Sequence, residues 1–236
     1  VYIMETLELT TQTLNVLKNF SSINPTLLFR PGNKLVTVSP GNTDTILGVA
    51  TVDNEFKSEF AINDLNAFLR ALSLFDRPEL VIGEKSLTIV SKTAKLDYRF
   101  ADTAHIDIPP KGKVKIPPAV AEFELSAQSL GDVLKAAQSL SLPHVVIKGE
   151  DGKVFIRVTD MTDSSANVYD LDVNATTSNT FSAVINIENI KIMGLAYNVS
   201  VCEGAVFFVN PTMTYAIVLE QISEFNGVSL ENTEDE

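Results

Sequence analysis

Phe60-Ala-Ile-Asn-Asp-Leu-Asn-Ala-Phe-Leu-Arg-Ala-Leu-Ser-Leu-Phe75 reads as the end of a strand, a cap at Asn63, then a helix of about three turns. Leu65, Phe68, Leu69, Leu72 and Phe75 fall on one face at helical spacing, and Arg70 points away from it. The same pattern recurs at Leu7–Lys18 and Phe123–Lys135, and more loosely at Phe181–Lys191. Each copy carries a strand, a capping residue, an apolar-faced helix and one cation: Lys18, Arg70, Lys135 and Lys191.

Each helix is followed by short strands punctuated by Gly, Pro and Asn. The first helix spans Thr10–Ile23, capped by Thr10 or Thr11 and stopped at Asn24-Pro25. Strands follow at Thr26–Phe29, Leu35–Ser39 and Thr45–Val52, with turns at Pro31-Gly-Asn33 and Pro40-Gly-Asn42. In the second copy Arg77-Pro78 breaks the pattern before Glu79–Ile82, Ser86–Ser91 and Ala94–Phe100. The third gives His144–Lys148, a tight turn through Gly152, Lys153–Asp160 and Asn167–Val173. In the fourth, a helix at Ile187–Leu195 precedes Tyr197–Cys202, Gly204–Val209 and Thr214–Gln221.

The chain is therefore βαβββ four times, with a period of roughly 45–60 residues. Strands outnumber helices and most connections are hairpins, which implies an α+β fold with antiparallel sheets covered on one face by helices. Ala101–Ala121 holds Pro109, Pro110, Pro117, Pro118 and Lys111, Lys113 and Lys115. Proline pairs keep a chain extended and out of a central strand. The expected layout is one domain over 1–108, a linker over 109–121, a second domain over 122–223 and a frayed acidic tail over 224–236.

The 236 residues suffice for two cores, and no apolar run approaches the ~18 residues of a membrane-spanning helix. Val1-Tyr-Ile-Met4 lacks the features of a secretory signal, and Met4 reads as a start. The single cysteine, Cys202, excludes an internal disulfide and sits in an apolar run, as a buried hydrophobe would. Two histidines, His105 and His144, form no metal-like cluster, and no nucleophile elbow, Walker loop or dinucleotide fingerprint is present. Asp160, Asp163, Asp170 and Asp172 are weak metal ligands, since Asp170 and Asp172 alternate on the solvent side of a strand. An enzyme is not expected, nor is a cofactor.

Net charge is −12, which argues against a broad basic surface for nucleic acid. Distribution matters more than the sum. The helical segments carry four cations against three acids, Asp64, Asp132 and Glu188, and are the least acidic part of the chain.

The four-unit pattern, the helix–cation register and the mid-chain linker resemble the DNA polymerase sliding clamps, in particular the processivity clamps of T4-like bacteriophages. Thr13–Asn24 and Asp64–Leu74 carry the resemblance most clearly, and it spans Leu7 to Gln221. It implies a homotrimeric ring of twelve helices lining a channel for duplex DNA, with Lys18, Arg70, Lys135 and Lys191 facing it. Sliding needs weak, phosphate-directed, sequence-neutral contacts, and an acidic exterior discourages binding outside the ring. The implied partners are DNA polymerase, a clamp loader and late-transcription factors, in the cytoplasm of the infected bacterial host. Short peptides of these partners are expected in an apolar pocket beside the linker, with Val36, Val38, Ile116 and Val218 as its residues. The implied subunit contact joins edge strands Leu96–Phe100 and Val168–Val173, through Leu96, Tyr98, Phe100 and Tyr169, Leu171, Val173. The competing reading is a structural β protein of a virion, which would have no reason to repeat cations in register.

Overall fold

The computed structural model describes residues 5–41, 45–109 and 114–230. The expected start at Met4, Asn42 of the second turn, Pro110, Lys111 and Lys113 of the linker, and the last six residues lie outside them, as does the side chain of His105. The chain divides into two compact units, Val1–Lys111 and Gly112–Glu236.

In the first unit, β1 (Glu5–Glu8) leads into α1 (Thr11–Ile23), β2 (Leu27–Phe29), β3 (Gly32–Val38) and β4 (Ile46–Phe56). The pattern repeats as β5 (Phe60–Ile62), α2 (Leu65–Leu72), β6 (Glu79–Ile82), β7 (Ser86–Val90) and β8 (Lys95–Arg99). One antiparallel sheet has the order β1-β6-β7-β8, with β8 at its edge. β3 and β4 form a hairpin, and β2 pairs with β5. Between sheets and helices lies an aromatic cluster. Phe29 stacks on Phe60 at 4.5 Å, Phe60 on Phe100 at 4.9 Å, and Phe56 meets Phe29 edge-on at 5.0 Å. Val16, Leu17, Phe20 and Phe68 extend this core from the helices and are almost fully buried, each contributing about 1.5–3 kcal/mol.

The second unit begins with β9 (Ala121–Leu125), α3 (Ala127–Leu140), β10 (His144–Glu150), β11 (Lys153–Thr159) and β12 (Tyr169–Thr176). β13 (Phe181–Asn186), β14 (Tyr197–Cys202), β15 (Ala205–Val209) and β16 (Met213–Val218) complete the repeat. α3 packs on β10 and β11. β12-β11-β10-β13 run in that order with β12 at the edge, and β16-β15-β14-β9 form a second antiparallel set.

Two expectations fail here. The fourth helix is a 3₁₀ turn, Ile187–Asn189, followed by irregular chain to Tyr197. Ile187, Ile190 and Ile192 are β-branched, Asn186 turns its side chain back to the Glu188 N–H, and Gly194 lies ahead, so nothing propagates a helix. With three α-helices per chain among the described residues, three copies would bring nine, not twelve. The frayed tail is also corrected over 224–230. β17 (Glu224–Phe225) pairs with β13, and β18 (Val228–Ser229) pairs with β17. Phe225 is buried and stacks on Phe181 at 6.0 Å. Asn226 and Gly227 both hold positive φ, 50° and 83°, the conformation of a tight primed hairpin turn. Burial of one phenyl ring anchors a segment that is polar on average.

Candidate nucleic-acid interface

Each helix is fixed in rotation by its cap and its apolar face, and that fixes where its cation points. The Thr10 hydroxyl accepts from the Thr13 N–H at 3.1 Å and starts α1. Val16, Leu17, Phe20 and Ile23 go to the core, which leaves Lys18 exposed. In α2 the cap is Asp64, not Asn63: its Oδ1 accepts the Ala67 N–H at 2.8 Å. The shift by one residue follows from the carboxylate, which also complements the helix dipole. Leu65, Phe68 and Leu72 are buried and Arg70 is exposed in the last turn, where the dipole favours a cation. The Ser126 Oγ accepts from the Ser129 N–H at 3.0 Å and starts α3. Leu130, Val133 and Ala137 are buried, and Lys135 is exposed. Asp132, the acid of this helix, accepts from Gln128 Nε2 at 2.9 Å.

Lys191 departs from the register. It is exposed, but on the irregular chain after the 3₁₀ turn rather than on a helix. Lys18, Arg70 and Lys135 thus share one structural context and Lys191 another. In the first unit, α1 packs on α2 and leaves a cleft of ≈ 390 Å³ beside them. Lys18 lines it, and so does Arg77, which the sequence presents only as a break before Pro78.

The apolar residues expected to take partner peptides are accessible within their own units. Val36 and Val38 share the half-buried face of β3, opposite buried Leu35 and Thr37. Ile116, in the extended segment, is 43% exposed, and Val218, ending β16, is 45% exposed.

The edge strands run over Lys95–Arg99 and Tyr169–Thr176, close to the expected ranges. Their free backbone groups can be assigned. The Phe100 N–H donates to Lys85 O and the Ser91 N–H to Ala94 O, so Leu96 and Tyr98 exchange bonds with Ile89 and Leu87. Lys95, Asp97 and Arg99 turn their backbones outward. On β11, the two-residue Asp151-Gly152 turn, φ 51° and 78°, sets Glu150 against Lys153. Val154, Ile156 and Val158 then face β12, and Asp170 and Asp172 carry the outward amides. A bulge at Val173-Asn174, with Asn174 at φ 55°, interrupts the ladder. Tyr98, expected at the subunit contact, is engaged within its own unit. Its ring packs edge-on against Phe68 at 5.3 Å and its hydroxyl donates to Asp64 O at 3.1 Å, so it belongs to its own helix rather than to solvent. Burial, then Asp64, raises its pKa, which keeps it a donor.

The acids and the histidine that the sequence singled out in the second unit are held by bonds within that unit. Asp160 and Asp163 accept from their own loops, at Thr162 and Ser165, and those bonds lower both pKa values. His144 Nδ1 accepts the Met161 N–H at 3.0 Å. Cys202 is buried, its Sγ donates to Pro117 O, and burial raises its pKa, all signs of an inert thiol. No cluster of three or more metal-binding side chains occurs among the described residues.

Both units of the chain are similar to known proteins. Residues 10–105 match the family profile described as DNA polymerase processivity factor, and residues 122–221 match that described as gp45 sliding clamp, C terminal. The sliding clamp of Vibrio phage KVP40 is 29% identical over 224 residues, covering 92% of this chain and 100% of that protein. That of Enterobacteria phage T4 is 26% identical, covering 91% and 97%. Among solved structures, A. fulgidus PCNA bound to the C-terminal region of FEN-1 superposes with a TM-score of 0.69 at 12% identity, over 94% of this chain and 100% of that one. The DNA polymerase III subunit beta from Pseudomonas aeruginosa gives 0.65 at 9% identity, over 92% and 65%. At such identities the likeness is one of fold.

Proposed function

Because this chain belongs to the sliding clamps, the processivity factors of DNA polymerase, we propose that it closes as a homotrimeric ring around duplex DNA and tethers the replicative polymerase. It acts without catalysis, in the cytoplasm of an infected bacterial host, where a clamp loader opens it and late-transcription factors use it as well. The virion reading has no support, because both units match clamp profiles.

The observation that carries the DNA contact is the exposure of Lys18, Arg70 and Lys135 on three capped helices of a chain whose net charge is −12. Helices fixed by a buried face present these cations without flexibility in the backbone. Single phosphate contacts of this kind are salt-sensitive and indifferent to sequence, as a sliding protein requires. Lys191 supplies a fourth cation from the irregular segment. The subunit contact uses the outward edges of β8 and β12 in heterologous pairing, which closes the ring and covers those two edges. Val36, Val38, Ile116 and Val218 take partner peptides.

Replacing Lys18, Arg70, Lys135 and Lys191 together with Glu should preserve the fold, because all four are exposed. Processive synthesis on a primed circular template, measured with loader and polymerase, should fall, and fall further as salt rises. Full processivity of that variant at elevated salt would remove the channel assignment.

A further inference from the structure

Arg77 holds φ at 46°, in the left-handed region, directly before Pro78. Both features are unfavourable for a residue with a Cβ, and glycine or asparagine would occupy the position at lower cost. Such strain persists where the surrounding structure holds it, and it clusters at sites that bind ligands. The turn that imposes it runs from the end of α2 into β6: Leu74 and Phe75 donate to Ala71 O and Leu72 O, and the chain then reverses. Arg77 is exposed and makes no ion pair among the described residues. It lines the ≈ 390 Å³ cleft that also holds Lys18, over a floor of Leu69, Leu72 and Phe75. Glu8 is the acid at that cleft, so two cations stand against one carboxylate in a strongly acidic chain. Apolar walls concentrate the field of those cations toward the opening.

We propose that Arg77 is a DNA-phosphate contact, working with Lys18 on one stretch of backbone; this rests on the DNA reading above. Its planar guanidinium can grip two phosphate oxygens at once, whereas Lys18 acts as a point charge. The competing role is structural. Glu8 and Glu79 face each other across β1 and β6, and a nearby cation would offset their repulsion.

The two roles separate in one experiment. Binding of a labelled duplex of arbitrary sequence to the full chain is followed by fluorescence anisotropy over a salt series, for wild type, Arg77→Gly, Arg77→Lys and Lys18→Ala. Arg77→Gly should unfold at the same or a higher temperature, because it relieves the positive φ. Its plot of log K against log salt should be shallower by about 0.9 for each phosphate that is no longer neutralised. Lys18→Ala should flatten the plot to a similar degree, and Arg77→Lys should retain most of the slope. An unchanged slope in Arg77→Gly, with the slope of Lys18→Ala reduced, overturns the proposal and leaves the DNA reading standing. So does a lower unfolding temperature with an unchanged slope, which assigns Arg77 to the Glu8–Glu79 pair. Unchanged slopes in all variants would instead remove the DNA reading itself, and the proposal with it.

Discussion

At Gly149 the backbone has room for a hydrogen and nothing larger. A Cβ there would collide with the Phe181 ring and come within 2.8 Å of the Asn179 carbonyl oxygen. Phe181 lies opposite Gly149 across β10 and β13 and stacks in turn on Phe225, so one glycine lets an aromatic pair pin the last hairpin. Gly149→Ala should cost about 1–3 kcal/mol in urea unfolding and should expose the amides of β17 to hydrogen exchange first. Unaltered exchange at Phe225 would refute this coupling. A second residue, Asp170, accepts two bonds of 2.7 Å from Arg157, and that contact lowers its pKa. A depressed carboxylate pKa stabilises the fold above the unfolded value near 4 and loses that contribution as pH falls through the folded value. The pair is partly exposed, so Asp170→Asn should cost no more than about 1 kcal/mol at pH 7, and the difference should shrink as the pH falls below the unfolded value. A penalty that persists at the acid end would exclude this ion pair as its source.

Among the elements, β8 offers the most direct test of ring closure. Asp97 turns its amide outward, whereas Tyr98 spends its own on Leu87 within the sheet. Asp97→Pro should therefore remove an intersubunit donor and shift a trimer toward monomers in light scattering, with the circular dichroism of the fold retained. Tyr98→Pro should instead lower the unfolding temperature, because it breaks a bond between β7 and β8. If Asp97→Pro stays trimeric, the interface lies on another edge. The bulge at Val173-Asn174 limits the regular run on β12 to the residues before it, Tyr169 to Asp172.

For the molecule as a whole, the proposed capture of partner peptides is open to a direct test. Ile116 and Val218 each expose apolar side-chain surface that a peptide could cover. A fluorescent peptide from the polymerase C-terminus should bind the wild type and lose at least tenfold in affinity against Ile116→Glu. Equal affinity would move the peptide site away from the extended segment.

Local sequence was sufficient for the repeat, the succession of strands along the chain and three of the helices, because helical and strand periodicities and capping residues act over a few neighbours. Lys18, Arg70 and Lys135 were legible for the same reason: a cation opposite an apolar stripe must be exposed once that stripe is buried. Elsewhere local signals were balanced or silent, and the folded chain decided between them. Ile187–Leu195 has helical apolar spacing, yet β-branching and asparagine competition leave a 3₁₀ turn there, with Lys191 off the register. Phe225 draws an acidic segment onto β13, since one buried ring outweighs a polar average. Which amides of β8 face outward depends on the phase of its ladder with β7, and the side-chain pattern of the strand does not encode that phase. Arg77 read as a mere break, because φ is not written in residue type; the reversal from α2 into β6 set it beside Lys18.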